Sequence, residues 1–278
     1  MPDVNLFPTI QRAITDLLIT HEPEFLRFGS RLFTSLATIL IAWHGIRLMF
    51  SGHALSDQMF DFAKLLLFVA LGYALITFYE SPLPGIGVSF TNLITDQVQH
   101  FQSVLEVRAF ANVYRHLDEL ADHFMQPDPW SIAGNLFYWT VLMLVALAKA
   151  LSLVVIAFGL IASAVCALLG PIFVPFFIVP KLDWLFWGWF RAFLQYSFVP
   201  VVAIAFLMIF EQFLFRYITT LPPVITQLEY GTYSFQAVAV LAAFSIGIVL
   251  VPSLTNTIFT GHGGQTLVSS IPRVIRVR

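Results

Sequence analysis

The chain has 278 residues, of which 58% are hydrophobic and only 11% are charged, and its mean hydropathy is +0.83. Soluble domains carry about 25% charged residues, so this composition excludes an ordinary water-soluble protein. The net charge of −2 also excludes a strongly basic nucleic-acid binder. Because the apolar runs are continuous and do not alternate, we predict an all-α integral membrane protein and reject a β-barrel.

The chain begins with an amphipathic segment, residues 1–31. Pro8 and Thr9 are typical of a helix start, and apolar residues recur on one face up to Pro23, where we expect this helix to end. The segment lacks the basic start and apolar core of a cleavable signal peptide. We therefore expect a short helix that lies at the membrane interface.

Two transmembrane helices follow within residues 32–79. Two prolines and two glycines in the stretch SPLPGIG end the second of them, because such residues break a helix. The next region, residues 80–130, is a loop that we predict to be periplasmic.

This loop contains an amphipathic helix, and we predict that its apolar face binds a partner protein. The apolar residues are spaced by three and four positions, and they are Phe110, Val113, Leu117, Leu120 and Phe124. On the polar face, His116, Glu119 and His123 could ligate a metal, but no further strong ligand is evident. We interpret these three as part of a solvated face and predict no metal site.

A transmembrane core occupies residues 131–256, and its first apolar run is too long for one upright crossing. Residues 132–169 would measure about 57 Å as a helix, against a hydrocarbon core of about 30 Å. We predict one long helix that projects beyond the bilayer, with five spans in total. The alternative is two helical pieces that meet near Lys149 and give six spans.

Lys149 and Glu211 are the only ionisable residues well inside apolar runs. A charge at such a position is costly unless it is paired or reaches water. One hypothesis is an ion pair between them, within or between subunits. The other is that each side chain extends to the interface alone.

Small residues recur every four positions on several of the predicted spans, which lets helices approach closely. The two stripes of the core are Gly159, Ser163 and Ala167, and Ala239, Ala243 and Gly247, and a third on the first span is Ser30, Thr34, Thr38 and Ala42.

A proline-rich turn at residues 170–180 interrupts the core. If the break faced lipid, it would leave carbonyl groups without partners, so we expect it at the membrane surface or buried against protein. We interpret it as a hinge followed by an aromatic belt that anchors the next span; an ordinary turn is the alternative. The residues concerned are Gly170, Pro171, Pro175, Pro180, Trp184, Trp187, Gly188, Trp189 and Arg191.

The tail, residues 257–278, carries three arginines and no acidic residue. The positive-inside rule therefore predicts a cytoplasmic C-terminus and, with five spans, a periplasmic N-terminus. The sequence contains no nucleotide-binding, zinc-protease or CxxC motif, so we predict neither an enzyme nor a cofactor. A small-molecule or ion transporter is the alternative function, although one broken segment and two buried charges are few for that class.

The stretch LLGPIFVPFFIVPKLDWLFWGWF resembles the signature of the TrbL/VirB-type polytopic inner-membrane subunit of type IV secretion systems. The layout of two early spans, an outer loop, a long third helix, a turn and two late spans is similar as well. The matching residues are Leu169, Gly170, Pro171, Phe173, Phe176, Phe177, Pro180, Phe186, Gly188 and Trp189.

This resemblance implies a structural role in the bacterial inner membrane, in a machine for conjugation or protein secretion. It implies a homo-oligomeric ring at the base of the stalk or pilus, which helps protein or single-stranded DNA to cross. The implied partners are a minor pilin-like stalk subunit, a bitopic assembly factor, an envelope-spanning scaffold subunit and membrane lipids. Contact with the translocated substrate would be transient, because the sequence forms no basic channel.

Overall fold

The computed structural model describes residues 6–50, 55–104, 108–225 and 229–260, and helices make up almost all of this part of the chain. A short 3-10 helix, Val174–Ile178, follows directly on the helix that ends at Phe173. In these ranges the only β-type pairing is a single bridge between Phe124 and Ile225. The helices are α1 (Leu6–Phe50), α2 (Leu55–Thr77), α3 (Phe90–Val104), α4 (Arg108–Asp122), α5 (Ile132–Phe173), α6 (Asp183–Thr220) and α7 (Tyr230–Thr260).

Five of these segments are long and apolar enough to cross a membrane, which confirms the predicted fold class. They are Thr20–Phe50, Met59–Thr77, Ile132–Ile178, Asp183–Thr220 and Gly231–Thr260. Helix α5 runs without interruption through Lys149. The third apolar run is therefore one long helix, and the alternative of two pieces and six spans is wrong.

The prediction that a short first helix ends at Pro23 is also wrong. Helix α1 is continuous, with Pro23 inside it. Proline removes one backbone donor from a helix, but the helix tolerates Pro23, which lies on an exposed part of α1. The interfacial segment and the first span therefore share one helix. Most of the basic tail, residues 261–278, lies outside the described residues.

Two features of residues 80–130 differ in how well the sequence predicted them. The stretch SPLPGIG ends α2 as expected, and Gly85 and Gly87 adopt positive φ angles of 87° and 77°, which suit glycine. Helix α3 was not predicted. The Ser89 hydroxyl accepts a hydrogen bond from the Asn92 amide at 3.2 Å, and it thereby caps the start of α3.

The chain folds as two compact units. The first comprises Met1–Val98 and Leu160–Ser197, and its core joins α1, α2, the end of α5, the 3-10 helix and the start of α6. The buried residues of this core are Phe33, Ala37, Ile76, Tyr79, Ala167, Val174, Ile178, Phe186, Trp189 and Phe193.

The second unit comprises Gln99–Gly159 and Phe198–Arg278. Phe244 of α7 packs against Phe206 and Phe210 of α6, with ring centroids 5.8 and 4.1 Å apart. Other fully buried side chains of this unit come from α4, α6 and α7, and they include Val113, Leu117, Leu120, Leu207, Leu214, Leu241 and Ile248.

Candidate functional site

The proline-rich turn ends α5 in steps, within the first unit. The α-helix continues through Gly170 and Pro171 to Phe173, and the 3-10 helix carries Pro175 in its first turn. The chain is then extended at Val179, which accepts hydrogen bonds from the amides of the next turn before α6 begins. The change from α-helix to 3-10 helix therefore occurs between Pro171 and Pro175, and the extended residue Val179 precedes Pro180.

The break is buried against protein, which is one of the two positions that the sequence allowed. Gly170, Pro171 and Pro175 are buried, whereas Pro180 is exposed. Helices α1 and α2 pack against the 3-10 helix. The freed backbone groups therefore face other parts of the chain.

Two aromatic side chains bond to the carbonyls at the break. In an unbroken helix the amide of residue 171 would bond to the carbonyl of Ala167, but proline has no N–H. The hydroxyl of Tyr79 donates to that carbonyl at 2.5 Å. The indole Nε1 of Trp189 donates to the adjacent carbonyl of Cys166 at 2.7 Å. The Tyr79 hydroxyl thus replaces the donor that Pro171 removes, and Trp189 of α6 adds a bond to the neighbouring carbonyl.

Burial keeps Tyr79 in its donor form. Desolvation, followed by the nearby acidic groups Glu22 and Glu80, raises the pKa of Tyr79 well above its ordinary value. The hydroxyl therefore stays protonated at physiological pH and can donate to Ala167 continuously. Sequence reasoning missed this residue, because nothing local marks it as the partner of a carbonyl 88 positions away.

Three glycines make room for this arrangement. A Cβ atom on Gly170 would clash with the Tyr79 hydroxyl and lie 2.6 Å from the Trp189 ring. A Cβ on Gly29 would clash with the Pro171 carbonyl, and one on Gly72 would lie 2.8 Å from Ile178. Only Gly170 was predicted. An unexplained glycine inside a helical pattern was the available signal for the other two.

The aromatic residues after the break divide into two groups. Phe186 and Trp189 are buried, and Phe186 contacts Phe177 with ring centroids 5.0 Å apart. The other group consists of exposed residues that share one face of α6, where the predicted belt would lie. They are Trp184, Trp187, Gly188 and Arg191. The hinge and belt roles stay predictions.

The predicted stripe on α5 packs inside the chain, whereas the stripe on α1 (Ser30, Thr34, Thr38 and Ala42) is exposed and the stripe on α7 is only partly packed. In the second unit, Gly159 packs against Pro200, and a Cβ on it would lie 2.7 Å from that ring. In the first unit, the hydroxyls of Ser163 and Ser197 lie 2.7 Å apart, and Ala167 is buried. In the second unit, Gly247 packs against Phe206. Ala239 and Ala243 are exposed and remain available for contacts with another protein.

The prediction that the apolar face of α4 binds a partner is wrong. Val113, Leu117 and Leu120 are fully buried and Phe124 nearly so, while the side chain of Phe110 is outside the described residues. Periodicity identifies an apolar face but not what covers it. Here the face packs inside the second unit, and the charged face of α4 is the one left exposed.

A polar cluster joins α4 to α5 and α6 in the second unit. Lys149 forms an ion pair with Asp118, and its Nζ lies 5.4 Å from the centre of the Tyr114 ring. The Tyr114 hydroxyl donates to the Lys149 carbonyl at 2.6 Å. Burial raises the pKa of Tyr114 to about 12, so this donor is protonated at physiological pH.

The hypothesis of an ion pair between Lys149 and Glu211 within one chain is therefore wrong. Helix α4 brings Asp118 to Lys149, while Glu211 accepts a hydrogen bond from Asn112 at 3.0 Å. These α4 partners were not predicted, because their contacts arise only when the amphipathic helix docks on the core.

His116 is the buried member of the cluster, with only 5% of its surface exposed. Its Nδ1 lies 2.7 Å from an oxygen of Glu119, and its Nε2 lies 4.0 Å from Oε1 of Glu211. The Nδ1 of His123 instead bonds to the Glu119 backbone carbonyl at 2.7 Å. Among the residues that the structure describes, no group of three or more His, Cys, Asp and Glu side chains could hold a metal ion.

A double-mutant cycle can test which acid pairs with Lys149. We expect Lys149→Met and Asp118→Asn to be coupled by about 0.5–1 kcal/mol, a modest value because Asp118 is largely exposed. Lys149→Met and Glu211→Gln should be nearly additive. The measurement is the thermal unfolding of the purified chain, and coupling to Glu211 in place of Asp118 would contradict the structure.

Comparisons with known proteins concern both the proline break and the polar cluster. No curated protein matches the sequence. The family model described as TrbL/VirB6 plasmid conjugal transfer protein matches residues 37–254, a range that includes the proline break and the polar cluster. The match covers well over half of the chain and agrees with the resemblance seen in the sequence. The chain therefore belongs to the TrbL/VirB6 family of plasmid conjugal transfer proteins.

Proposed function

We propose that the chain is a non-enzymatic structural and channel subunit of the inner-membrane complex of a type IV secretion system. Family membership identifies it as a subunit of conjugal transfer or type IV secretion, and its five span-capable helices identify a multi-pass membrane protein. The proposal adds a homo-oligomeric ring at the base of the stalk or pilus, through which protein or single-stranded DNA passes. It also adds a cytoplasmic C-terminus and a periplasmic N-terminus.

The observation that carries the ring is an exposed apolar face on the first third of α5, which we call the outer stripe. Its residues are spaced by four, three and four positions, so they share one helix face, and they are between 63% and 87% exposed. They are Ile132, Leu136, Trp139 and Met143.

The contacts of α4 support a position of the outer stripe outside the hydrocarbon. Helix α4 exposes Arg115, Asp118 and Asp122, which lipid tails cannot solvate. Because Asp118 binds Lys149, this part of α5 lies at the same level as α4. Residues 150–173 of α5 remain, and they exceed the ~20 residues that a crossing needs.

An apolar face of this size outside lipid needs a protein cover. Soluble surfaces rarely leave contiguous large apolar side chains bare unless they form an interface. We infer that the outer stripe contacts a neighbouring copy in the ring. The exposed charged face of α4 is then free for the pilin-like stalk subunit, the assembly factor or the scaffold subunit.

The test compares two charge insertions on α5. The full chain, extracted in mild detergent, is expected to be a multimer by native mass spectrometry. Leu136→Glu combined with Met143→Glu should convert it to monomer, because a carboxylate in an apolar interface is strongly unfavourable. Ala133→Glu is the matched control, since Ala133 is exposed on the same helix but off the stripe.

Two results would contradict the proposal. One is a wild-type chain that is monomeric in membranes of native composition. The other is a stripe variant that remains multimeric with unchanged mass. Loss of DNA or protein transfer by the stripe variant, but not by Ala133→Glu, would connect the assembly to function.

A further inference from the structure

We propose that His116, Glu119 and Glu211 form a proton-binding site that fastens α4 to α6. All three lie in the second unit, so the inference does not rest on the ring. His116 is the centre of the site, because it is buried and places one ring nitrogen toward each carboxyl group. The ligand is the proton itself.

The geometry indicates which ring nitrogen of neutral His116 carries the hydrogen. A carboxylate only accepts hydrogen bonds, so the 2.7 Å contact of Nδ1 with Glu119 requires the hydrogen of the neutral ring to be on Nδ1. Nε2 then carries a lone pair, and this lone pair faces Oε1 of Glu211 at 4.0 Å. Two electron-rich atoms face each other, which is unfavourable.

A second proton reverses this contact. Protonated imidazole is a donor at both nitrogens, so Nε2 becomes an N–H that lies 4.0 Å from the Glu211 carboxylate. The ring then carries a positive charge between two acids, one on α4 and one on α6. The charge strengthens the 2.7 Å hydrogen bond to Glu119, and it attracts Glu211 across 4.0 Å as an ion pair. Proton binding therefore tightens the attachment of α4 to the core.

The other charged groups near the site already form ion pairs. Arg115 lies 3.6 Å from Glu119 and shares that carboxylate. On α5, Lys149 is held by Asp118. On the uncharged side, the His116 ring packs against Phe215 of α6, with centroids 5.5 Å apart. Asn112 donates to the same oxygen of Glu211 that faces His116, which fixes the position of that carboxylate.

The attachment should depend on pH, because only the ring that carries both protons attracts both carboxylates. Its extra strength is present when the ring is protonated and is lost as the pH rises and the proton leaves. The contacts of Tyr114 and Asp118 with Lys149 do not involve His116, so α4 stays docked at high pH, only less firmly.

Hydrogen exchange of the full chain in lipid nanodiscs tests the proposal. We expect the amides of residues 111–122 to be about tenfold more protected near pH 6 than near pH 8, after correction for intrinsic exchange rates. The protection of α7 serves as the internal reference and should not change. Absence of this pH difference in the wild-type chain would overturn the proposal.

Two histidine variants localise the effect. His116→Gln should abolish the pH difference, while the matched control His123→Gln should retain it, because His123 bonds to a backbone carbonyl and not to Glu211. If His116→Gln fails to fold, Glu211→Gln tests the same contact and should reduce the difference to less than about threefold. Three results would show that another group binds the proton. The pH difference could persist in His116→Gln, persist at full size in Glu211→Gln or disappear in His123→Gln.

Discussion

Replacing Gly170 with alanine is expected to destabilise the chain by about 3 kcal/mol or more and to abolish substrate transfer. The added Cβ would clash with the Tyr79 hydroxyl and crowd the Trp189 ring. Overpacking of a core costs about 1–3 kcal/mol, and displacement of Tyr79 would also leave the Ala167 carbonyl without its donor. Both penalties fall on the buried break between α5 and α6.

The same substitution at Gly188 provides the control. Gly188 is on the neighbouring helix, is exposed, and has nothing within 4 Å of the position that a Cβ would take. Alanine is the better helix former, so Gly188→Ala should stabilise by about 0.5–1 kcal/mol. Thermal unfolding of the purified chain and a transfer assay measure both variants. Equal behaviour of the two would contradict the packing described for Gly170.

Tyr79→Phe is expected to cost about 1–3 kcal/mol, because it leaves the buried Ala167 carbonyl without the hydroxyl donor. The loss should be much smaller in a Pro171→Ala background. Alanine restores a backbone N–H one turn after Ala167, and this N–H can replace the tyrosine. The double-mutant cycle should therefore give a coupling of about 1 kcal/mol or more.

Tyr73→Phe is the matched control for this cycle. Tyr73 lies on α2 but is exposed, so its hydroxyl should contribute little. The tyrosine bond also predicts a pH effect. Since the pKa of Tyr79 is raised in the folded chain, its contribution is complete below the unfolded value near 10 and is lost as the pH rises through the raised value. Strict additivity of Tyr79→Phe and Pro171→Ala would refute the substitution of one donor for the other.

The buried apolar face of α4 shows that helical periodicity alone does not predict a partner-binding surface. The spacing of Val113, Leu117 and Leu120 correctly indicated an amphipathic helix, but the buried face is covered by the chain itself. The same reasoning now applies to the outer stripe of α5, with one difference. There the side chains are exposed in the folded chain, which supports the proposal that a neighbouring copy covers them.

Composition and spacing by themselves determined the membrane class, the number of spans and the position of the break. These properties depend on apolar run length, and on prolines that lack an N–H wherever they occur. Composition and spacing did not predict that α1 continues through Pro23, because a proline can end a helix or lie inside it at the cost of one backbone hydrogen bond. Only the tertiary structure decided that Tyr79 bonds to Ala167 and that Lys149 pairs with Asp118. Those contacts join residues far apart in the chain, and their energies depend on burial and geometry that no local pattern encodes.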